Sequence, residues 1–530
     1  MSNVSTISNQ IWAMANELRG NMSASVYQTY ILGFIFYRYL SEHQEKYLLE
    51  NKIIFPKADQ TPNDAYREAV EQDGVEEYLK DIASSLGYAI EPEHTWETLM
   101  RKIENNEIVP SDYQEIFDYF NANSSINTEA ASDFRGVFND MNLGSSQLGN
   151  NTVERTKALG KVVKLVNDVQ YKDDSGRDIL GEIYEELISK FAANAGQKGG
   201  EFYTPHAVSR ILARLVTLEA TQEEVFSVYD PTCGSGSLLL TVGSALAQTR
   251  KGGVIKYYGQ ELNTSTYNLA RMNLMMHGVS FANMTLSNAD TLESDWPDGV
   301  DASGIDRPRS FDAVVANPPY SANWDNDDRK LKDARFAEYG KLAPKSKADF
   351  AFILHSIYHL KPTGTMAIVL PHGVLFRGAA EGHIRKVLIE KNYLDAVIGL
   401  PANLFFGTSI PTCILVLKKN RTTKDVLFID ASQEFEKVKN QNHLTDEHID
   451  KIVATYTKRA DVEKYAHLAT RDEIEKNEFN LNIPRYVDTF EEEEEIDVNE
   501  VLQEIAADKA EIEQLEKEIY AQLRELGIKV

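Results

Sequence analysis

The stretch Phe311-Asp312-Ala313-Val314-Val315-Ala316-Asn317-Pro318-Pro319-Tyr320 carries the reading of the whole chain. Its first six residues are an apolar run rich in β-branched side chains, the pattern of a parallel strand buried on both faces. In an open α/β sheet, ligands bind beyond the carboxyl ends of the strands. Asn317 to Tyr320 therefore fall where chemistry is expected. Two consecutive prolines fix φ and remove two backbone donors. They leave the Asn317 side chain and nearby carbonyls as rigid acceptors beside the Tyr320 ring. Two acceptors and a ring suit a planar substrate bearing an exocyclic amine. The same four residues also read as a strand-ending turn, so the rest of the chain has to decide.

On both sides of this strand, helical and strand patterns alternate. Strand candidates are Val225 to Tyr229, Lys256 to Gln260, Met284 to Leu286, Thr365 to Leu370, Leu394 to Leu400, Thr412 to Lys418 and Val426 to Ile429. Counting Phe311 to Ala316, the first four strand ends are spaced by about 30 residues, the length of a βαβ unit. This predicts an α/β fold with a doubly wound, mostly parallel sheet, over residues 166–475. Residues 1–165 read as a separate helical domain. Ser8 to Leu18 and Ser25 to Leu49 carry apolar residues at three- and four-residue spacing. Similar patterns cover Ala65 to Leu86, Trp96 to Ile103, Tyr113 to Phe120 and Val153 to Val169. The aromatic cluster at Tyr27 to Tyr39 reads either as helical core or as a partner surface. No motif in this region carries chemistry. Residues 476–530 read as an acidic linker, with five glutamates at 491 to 495, followed by a helix. That helix has apolar residues every seven positions: Val498, Ile505, Ile512, Ile519 and Leu526. Such a repeat lets one helix pack along another, on its own chain or on a partner.

The 530 residues carry a formal charge of −26. That balance is wrong for a chain gripping nucleic acid alone, because phosphate contacts need Lys and Arg. Two cysteines, Cys233 and Cys413, exclude a disulfide framework and a Cys-rich zinc site. The most apolar N-terminal run, Tyr30 to Leu40, contains Arg38 and is too short to span a bilayer. No signal-peptide pattern precedes it. The expected setting is the cytoplasm.

Four successive strand ends are polar. The first is Asp230-Pro231-Thr232-Cys233-Gly234-Ser235-Gly236-Ser237, whose glycines let backbone approach a ligand closely. Its spacing is neither that of a phosphate loop nor the dinucleotide fingerprint. The second ends in Gly259-Gln260-Glu261, where an acid can accept from both ribose hydroxyls. The third ends in Asn288-Ala289-Asp290, where Asp290 can accept from an adenine amine. The fourth is Asn317 to Tyr320. Acidic residues commonly start loops, but this order and spacing is hard to obtain by chance.

With these motifs the chain resembles the modification (M) subunit of type I restriction–modification systems, an S-adenosylmethionine-dependent DNA amino-methyltransferase with a Rossmann-like catalytic domain, a helical N-terminal region and a C-terminal helix. The resemblance covers nearly the whole chain. The family's motif before the sheet matches Glu201-Phe202-Tyr203-Thr204-Pro205, and these residues with the adjoining His206 are assigned to the cofactor. Its glycine-rich motif matches Asp230 to Ser237, with Asp230, Gly234, Ser235, Gly236 and Ser237 assigned to the cofactor. Glu261 matches the ribose-binding acid and Asp290 the adenine-side acid. Asn317, Pro318, Pro319 and Tyr320 match the catalytic motif. A later motif matches Asn403-Leu404-Phe405-Phe406-Gly407-Thr408-Ser409-Ile410. The resemblance implies N6-adenine methylation of DNA with S-adenosyl-L-methionine. It also implies a specificity (S) subunit joined by two M subunits, and a restriction (R) subunit in the full complex.

Bottom-up, Asn317 and the Pro318 carbonyl would polarise the adenine amine. Tyr320 would stack on one face of the base, with Phe405 or Phe406 on the other. Methylation at cytosine C5 would need a nucleophilic Cys after a Pro, and neither cysteine fits. Residues 321 to 347 hold seven Lys/Arg and five Asp/Glu, a candidate DNA clamp or a plain mobile loop. After Ile429 there is no block large enough for a recognition domain, which again points to another polypeptide reading the DNA. Asn-Pro-Pro-Tyr also occurs in methyltransferases acting on a release-factor glutamine or on RNA guanine, though these match only the sheet. N4-cytosine methylation and a non-catalytic assembly role complete the alternatives.

Overall fold

The structure is a computed structural model. It describes residues 3–18, 24–172, 179–194, 204–220, 224–249, 252–293, 309–405, 408–438, 441–489 and 498–526. These form two compact units, 1–487 and 488–530.

The first unit is organised on a nine-stranded sheet. Its strands are β1 (Val225–Asp230), β2 (Val254–Glu261), β3 (Met284–Asn288), β4 (Phe311–Ala316), β5 (Leu360–Pro371), β6 (Leu394–Gly399), β7 (Thr412–Lys418), β8 (Val426–Asp430) and β9 (Ala466–Ala469). The order across the sheet is β9-β8-β6-β7-β5-β4-β1-β2-β3. β7 runs antiparallel between β5 and β6, and β9 is antiparallel to β8. The remaining pairs are parallel. The mostly parallel, doubly wound sheet expected from the strand runs is therefore present. β9 and a short ribbon, Glu436–Val438 with Gln441–His443, are additions that have no clear sequence pattern. From β1 the chain winds one way through β2 and β3, then crosses over to β4 and β5. The order thus reverses between β1 and β4, where ligands bind in such sheets.

Both faces of the sheet are covered. Val315 faces a core layer that includes Leu212, Leu239 and Leu269. Val314 and Ala316 face a second layer with Ile353, Leu354 and Ile384. The alternation follows from the two-residue period of a strand. The second layer continues through Leu481, Ile483 and Tyr486, and Tyr486 stacks on Phe428 with ring centroids 3.8 Å apart. Packing thus runs past the boundary expected at 475.

The N-terminal helices are Asn3–Leu18, Ala24–Glu50, Pro62–Asp73, Val75–Leu86, Trp96–Glu104, Pro110–Asn123 and Thr152–Asp168. The helical pattern over Ala65 to Leu86 is two helices, broken at Gly74 with φ +95°. A residue with a Cβ rarely adopts that φ. The aromatic cluster is core: Tyr27, Tyr30, Phe34, Phe36 and Tyr37 are fully buried. Two of its phenols are satisfied internally, Tyr30 by the Asn142 carbonyl (2.6 Å) and Tyr37 by the His94 carbonyl (2.6 Å). This helical region shares one continuous apolar core with the sheet. Arg271, on the helix Thr264–Met276, pins the junction by donating to the carbonyls of Ser132, Asp133 and Arg135 at 3.0–3.1 Å.

The second unit contains the helix Val498–Glu525. Its apolar residues Ile505, Ile512, Leu515 and Ile519 are all exposed. No helix among the described residues is long and apolar enough to cross a membrane.

Candidate active site

Beyond the ends of β1, β2, β3 and β4 lies a cavity of about 870 Å³. Thr232, Glu261, Asp290, Asn317 and Pro319 line it together. Glu261 is aligned by backbone donors: its carboxylate accepts from Gly234 N–H (3.1 Å) and Asn263 N–H (2.8 Å). Burial pushes its pKa up, and those donors pull against that shift. Asp290 caps its own turn by accepting from Leu292 N–H (2.9 Å). Asp230 is buried at the end of β1 and accepts from Thr232 N–H (2.9 Å). Burial raises its carboxyl to about 7. It shapes the turn from below and does not line the cavity. The turn itself uses Gly234 (φ +55°) and Gly236 (φ +78°), and a Cβ on Gly236 would meet Leu274 Cδ1 at 2.4 Å. Ser235 and Ser237 hydroxyls bond each other at 3.1 Å, and Asn273 donates to the Ser235 carbonyl at 2.9 Å. These residues support the loop from within the fold.

After β4, Asn317 is buried and its amide is held at both ends. Its Nδ2 donates to Thr204 Oγ1 (3.0 Å), and its Oδ1 accepts from the Tyr320 hydroxyl (2.9 Å). The motif before the sheet thus reaches Asn317 through Thr204. Pro205 precedes the helix His206–Thr217, and His206 is exposed at its first position. Glu201, Phe202 and Tyr203 lie outside the described residues, as do Phe406 and Gly407. Phe405 is buried and meets Tyr320 edge-on, with centroids 6.0 Å apart at 77°. This edge-on pair is not the parallel sandwich expected around a base. Both thiols are buried, and burial pushes both up in pKa. Neither is a nucleophile.

The profile of the N-6 DNA methylase family matches residues 175–495, and that of the HsdM N-terminal domain matches residues 7–166. The chain belongs to the N-6 DNA methylase family. It is 38% identical to the type I restriction enzyme MpnII methylase subunit of Mycoplasma pneumoniae, covering 93% of this chain and 91% of that one. It is 35% identical to the MjaVII methylase subunit of Methanocaldococcus jannaschii, over 68% of this chain and 61% of that one. The crystal structure of a type I restriction–modification methyltransferase subunit from Streptococcus thermophilus is 44% identical. It superposes with a TM-score of 0.83, covering 92% of this chain and all (100%) of that one. This chain is a DNA methyltransferase of the type I methylase-subunit kind.

Tertiary structure adds cavity residues that carry no sequence signal. Phe352, from the helix Asp349–Tyr358, lines the cavity, as do Gln28, Thr29, Leu32 and Gly33 from the helix Ala24–Glu50. The segment 321–347 is folded against the second core layer. Trp324, Phe336 and Tyr339 are buried, and Trp324 is bonded through its backbone to Lys345 (2.9 Å) and through its ring to Pro344 (3.0 Å). Its basic residues divide accordingly: Arg329, Lys332, Lys341 and Lys345 are exposed, whereas Arg335 is 2% exposed. The reading of this segment as a plain mobile loop is therefore corrected, and Arg335 is unavailable to a phosphate.

Arg335 instead starts a buried relay beneath the methylase cavity. Its guanidinium donates to the Thr291 carbonyl (2.8 Å) and bonds His355 Nδ1 (3.1 Å). Arginine has no acceptor, so His355 Nδ1 must accept and the ring proton sits on Nε2. That nitrogen donates to the Tyr229 hydroxyl (2.7 Å), which in turn donates to Gln260 Oε1 (2.6 Å). Burial, reinforced by His359 and Arg335, pushes the His355 pKa far down, which keeps the imidazole neutral. The relay ends at Gln260, a cavity-lining residue whose Nε2 is buried without a partner among the described residues.

Proposed function

We propose that the chain transfers a methyl group from S-adenosyl-L-methionine to N6 of adenine in double-stranded DNA, as the modification subunit of a type I restriction–modification complex. The observation that carries this reading is the cavity that Glu261, Asp290, Asn317 and Pro319 share, with the Asn317 amide held by Thr204 and Tyr320. The residues fit the cofactor. The volume lies within the roughly 300–1,000 Å³ of small-molecule sites. Glu261 offers an acceptor for ribose hydroxyls and Asp290 one for an adenine amine, while the buried Gln260 Nε2 is a donor in want of an acceptor. Bound there, S-adenosylmethionine supplies an electrophilic sulfonium methyl.

The chain's own residues then act on the base. An adenine amine is a poor nucleophile because its lone pair is delocalised into the ring. Asn317 Oδ1 is a carbonyl-type acceptor, held in place by the Tyr320 hydroxyl at 2.9 Å. With the Pro318 carbonyl it accepts from the amine and draws it toward a tetrahedral, nucleophilic form. This is positioning and electrostatic stabilisation. The base must leave the duplex to reach the cavity. Tyr320 stacks on it, and Phe405 rotates from its edge-on contact to cover the other face. Such stacking contributes on the order of 1–3 kcal/mol per base.

The charge of −26 supports the reading that a specificity subunit supplies most of the DNA grip. The exposed apolar seam of Val498–Glu525 is the surface it would hold. A second M subunit joins through it, a restriction subunit completes the complex, and the cytoplasm is the setting. The test is nucleoside analysis of plasmid DNA methylated by the chain with its co-encoded partner. N6-methyladenine is expected, and Asn317→Ala should abolish it while cofactor titration stays near wild type. N4-methylcytosine as product, or substantial activity in the variant, would overturn the reading.

A further inference from the structure

We propose that the N-terminal helical region completes the cofactor site, with Gln28 presenting its side-chain amide to the adenosyl half of the methyl donor. The inference rests on reading the cavity as the S-adenosylmethionine site. Gln28 lies on the helix Ala24–Glu50 and lines the same cavity as Glu261, Leu262, Asn263 and Asp290. It is only 8% exposed, and among the described residues no hydrogen bond engages its amide. The amide is not sealed from the cavity, so an occupant can bond it directly in place of water.

The wall is built to hold that position. Tyr39, on the same helix, donates to the Met275 carbonyl at 3.0 Å. Asn268 bonds Asp140, another wall residue, and Arg271 clamps the carbonyls of residues 132, 133 and 135. Gly33 lets the helix press on Met141, whose sulfur would lie 2.3 Å from a Cβ at that position. The helix is thus fastened to the layer that carries Glu261.

The chemistry of the wall selects the half of the donor. Asp140, Glu261 and Asp290 are all acidic, which disfavours the donor's carboxylate there. A neutral amide both donates and accepts. Ribose hydroxyls and purine ring nitrogens ask for both. Cofactor binding and docking of the helical region are then linked, because a ligand touching both stabilises their contact.

Full-length Gln28→Ala and Gln28→Met, beside wild type, would be titrated by calorimetry with S-adenosylhomocysteine and with 5′-methylthioadenosine, which carries the adenosyl half alone. Gln28→Met keeps the reach and the apolar stem and removes only the amide. Both variants are expected to bind both ligands roughly three- to tenfold more weakly, the effect of one hydrogen bond, with ligand-free melts like wild type. Wild-type affinity for both ligands in Gln28→Met would overturn the proposal. A loss confined to S-adenosylhomocysteine would overturn the assignment to the adenosyl half. Failure of wild type to bind either ligand would sink the cofactor reading itself, and this inference with it.

Discussion

Arg335→Ala separates two roles for the basic segment 321–347. In wild type the guanidinium is 2% exposed and bonds Asp333 (2.7 Å), the Thr291 carbonyl (2.8 Å), the Leu292 carbonyl (3.4 Å) and His355 (3.1 Å). Burial raises the Asp333 carboxyl, but the bonds and charge of Arg335 more than offset that and hold it below its usual range. Truncation would leave this carboxylate without its main partner and would orphan the Thr291 carbonyl and His355 Nδ1. Stranding the half-buried Asp333 carboxylate and leaving two buried acceptors unsatisfied, at about 1–3 kcal/mol each, costs about 3–5 kcal/mol in all. In a unit spanning residues 1–487 that is a fall in Tm of roughly 3–5 °C. Cofactor affinity should fall as well, because Thr291 and Leu292 directly follow Asp290 in the turn that Arg335 holds. Arg335→Lys keeps the charge and loses the fork, so it should fall between wild type and Ala. The assays are thermal melts and titration with S-adenosylhomocysteine. A melt within about 1 °C of wild type with unchanged cofactor binding, and a loss only of DNA binding, would refute the reasoning. It would return Arg335 to a phosphate-contact role.

Gly236→Ala forces a Cβ residue to φ +78° against Leu274. It should cost about 1–2 kcal/mol and weaken S-adenosylhomocysteine binding in calorimetry; a normal melt and affinity would show the turn has room. Asp230 has its carboxyl raised by burial to about 7, above the roughly 3.9 of an unfolded chain. Charging it therefore destabilises the fold progressively between about pH 4 and pH 7. The Tm of Asp230→Asn relative to wild type should shift in favour of the variant across that window and level off above it. A difference independent of pH would contradict the burial argument. Replacing Ile505, Ile512 and Ile519 with Lys should prevent co-elution with the specificity partner in size-exclusion chromatography and leave cofactor binding unchanged. A normal complex would show that this face is not the seam.

The sequence by itself determined the doubly wound sheet, because a strand buried on both faces must be a continuous apolar run, and Phe311 to Ala316 or Thr412 to Lys418 are such runs. It also placed the polar strand ends, since Glu261 closes a strand, Asn317 directly follows one and Asp290 lies two residues past one. Their meeting in one cavity follows from the reversal of strand order between β1 and β4. It could not say what covers an apolar helix face. Periodicity shows which side of Ser25 to Leu49 is greasy, not what it touches, so core and partner surface stayed open for Tyr27 to Tyr39 until tertiary packing buried them. Nor could it show that Arg335 is interior, because a charged residue in a polar segment reads as solvated unless its distant partners are known. Thr291, His355, Tyr229 and Gln260 lie on separate strands, turns and helices, and only the closed sheet brings them within hydrogen-bond reach. The same holds for Gln28: hydrogen bonds and cavity walls are short-range, whereas the residues that form them are far apart in the chain.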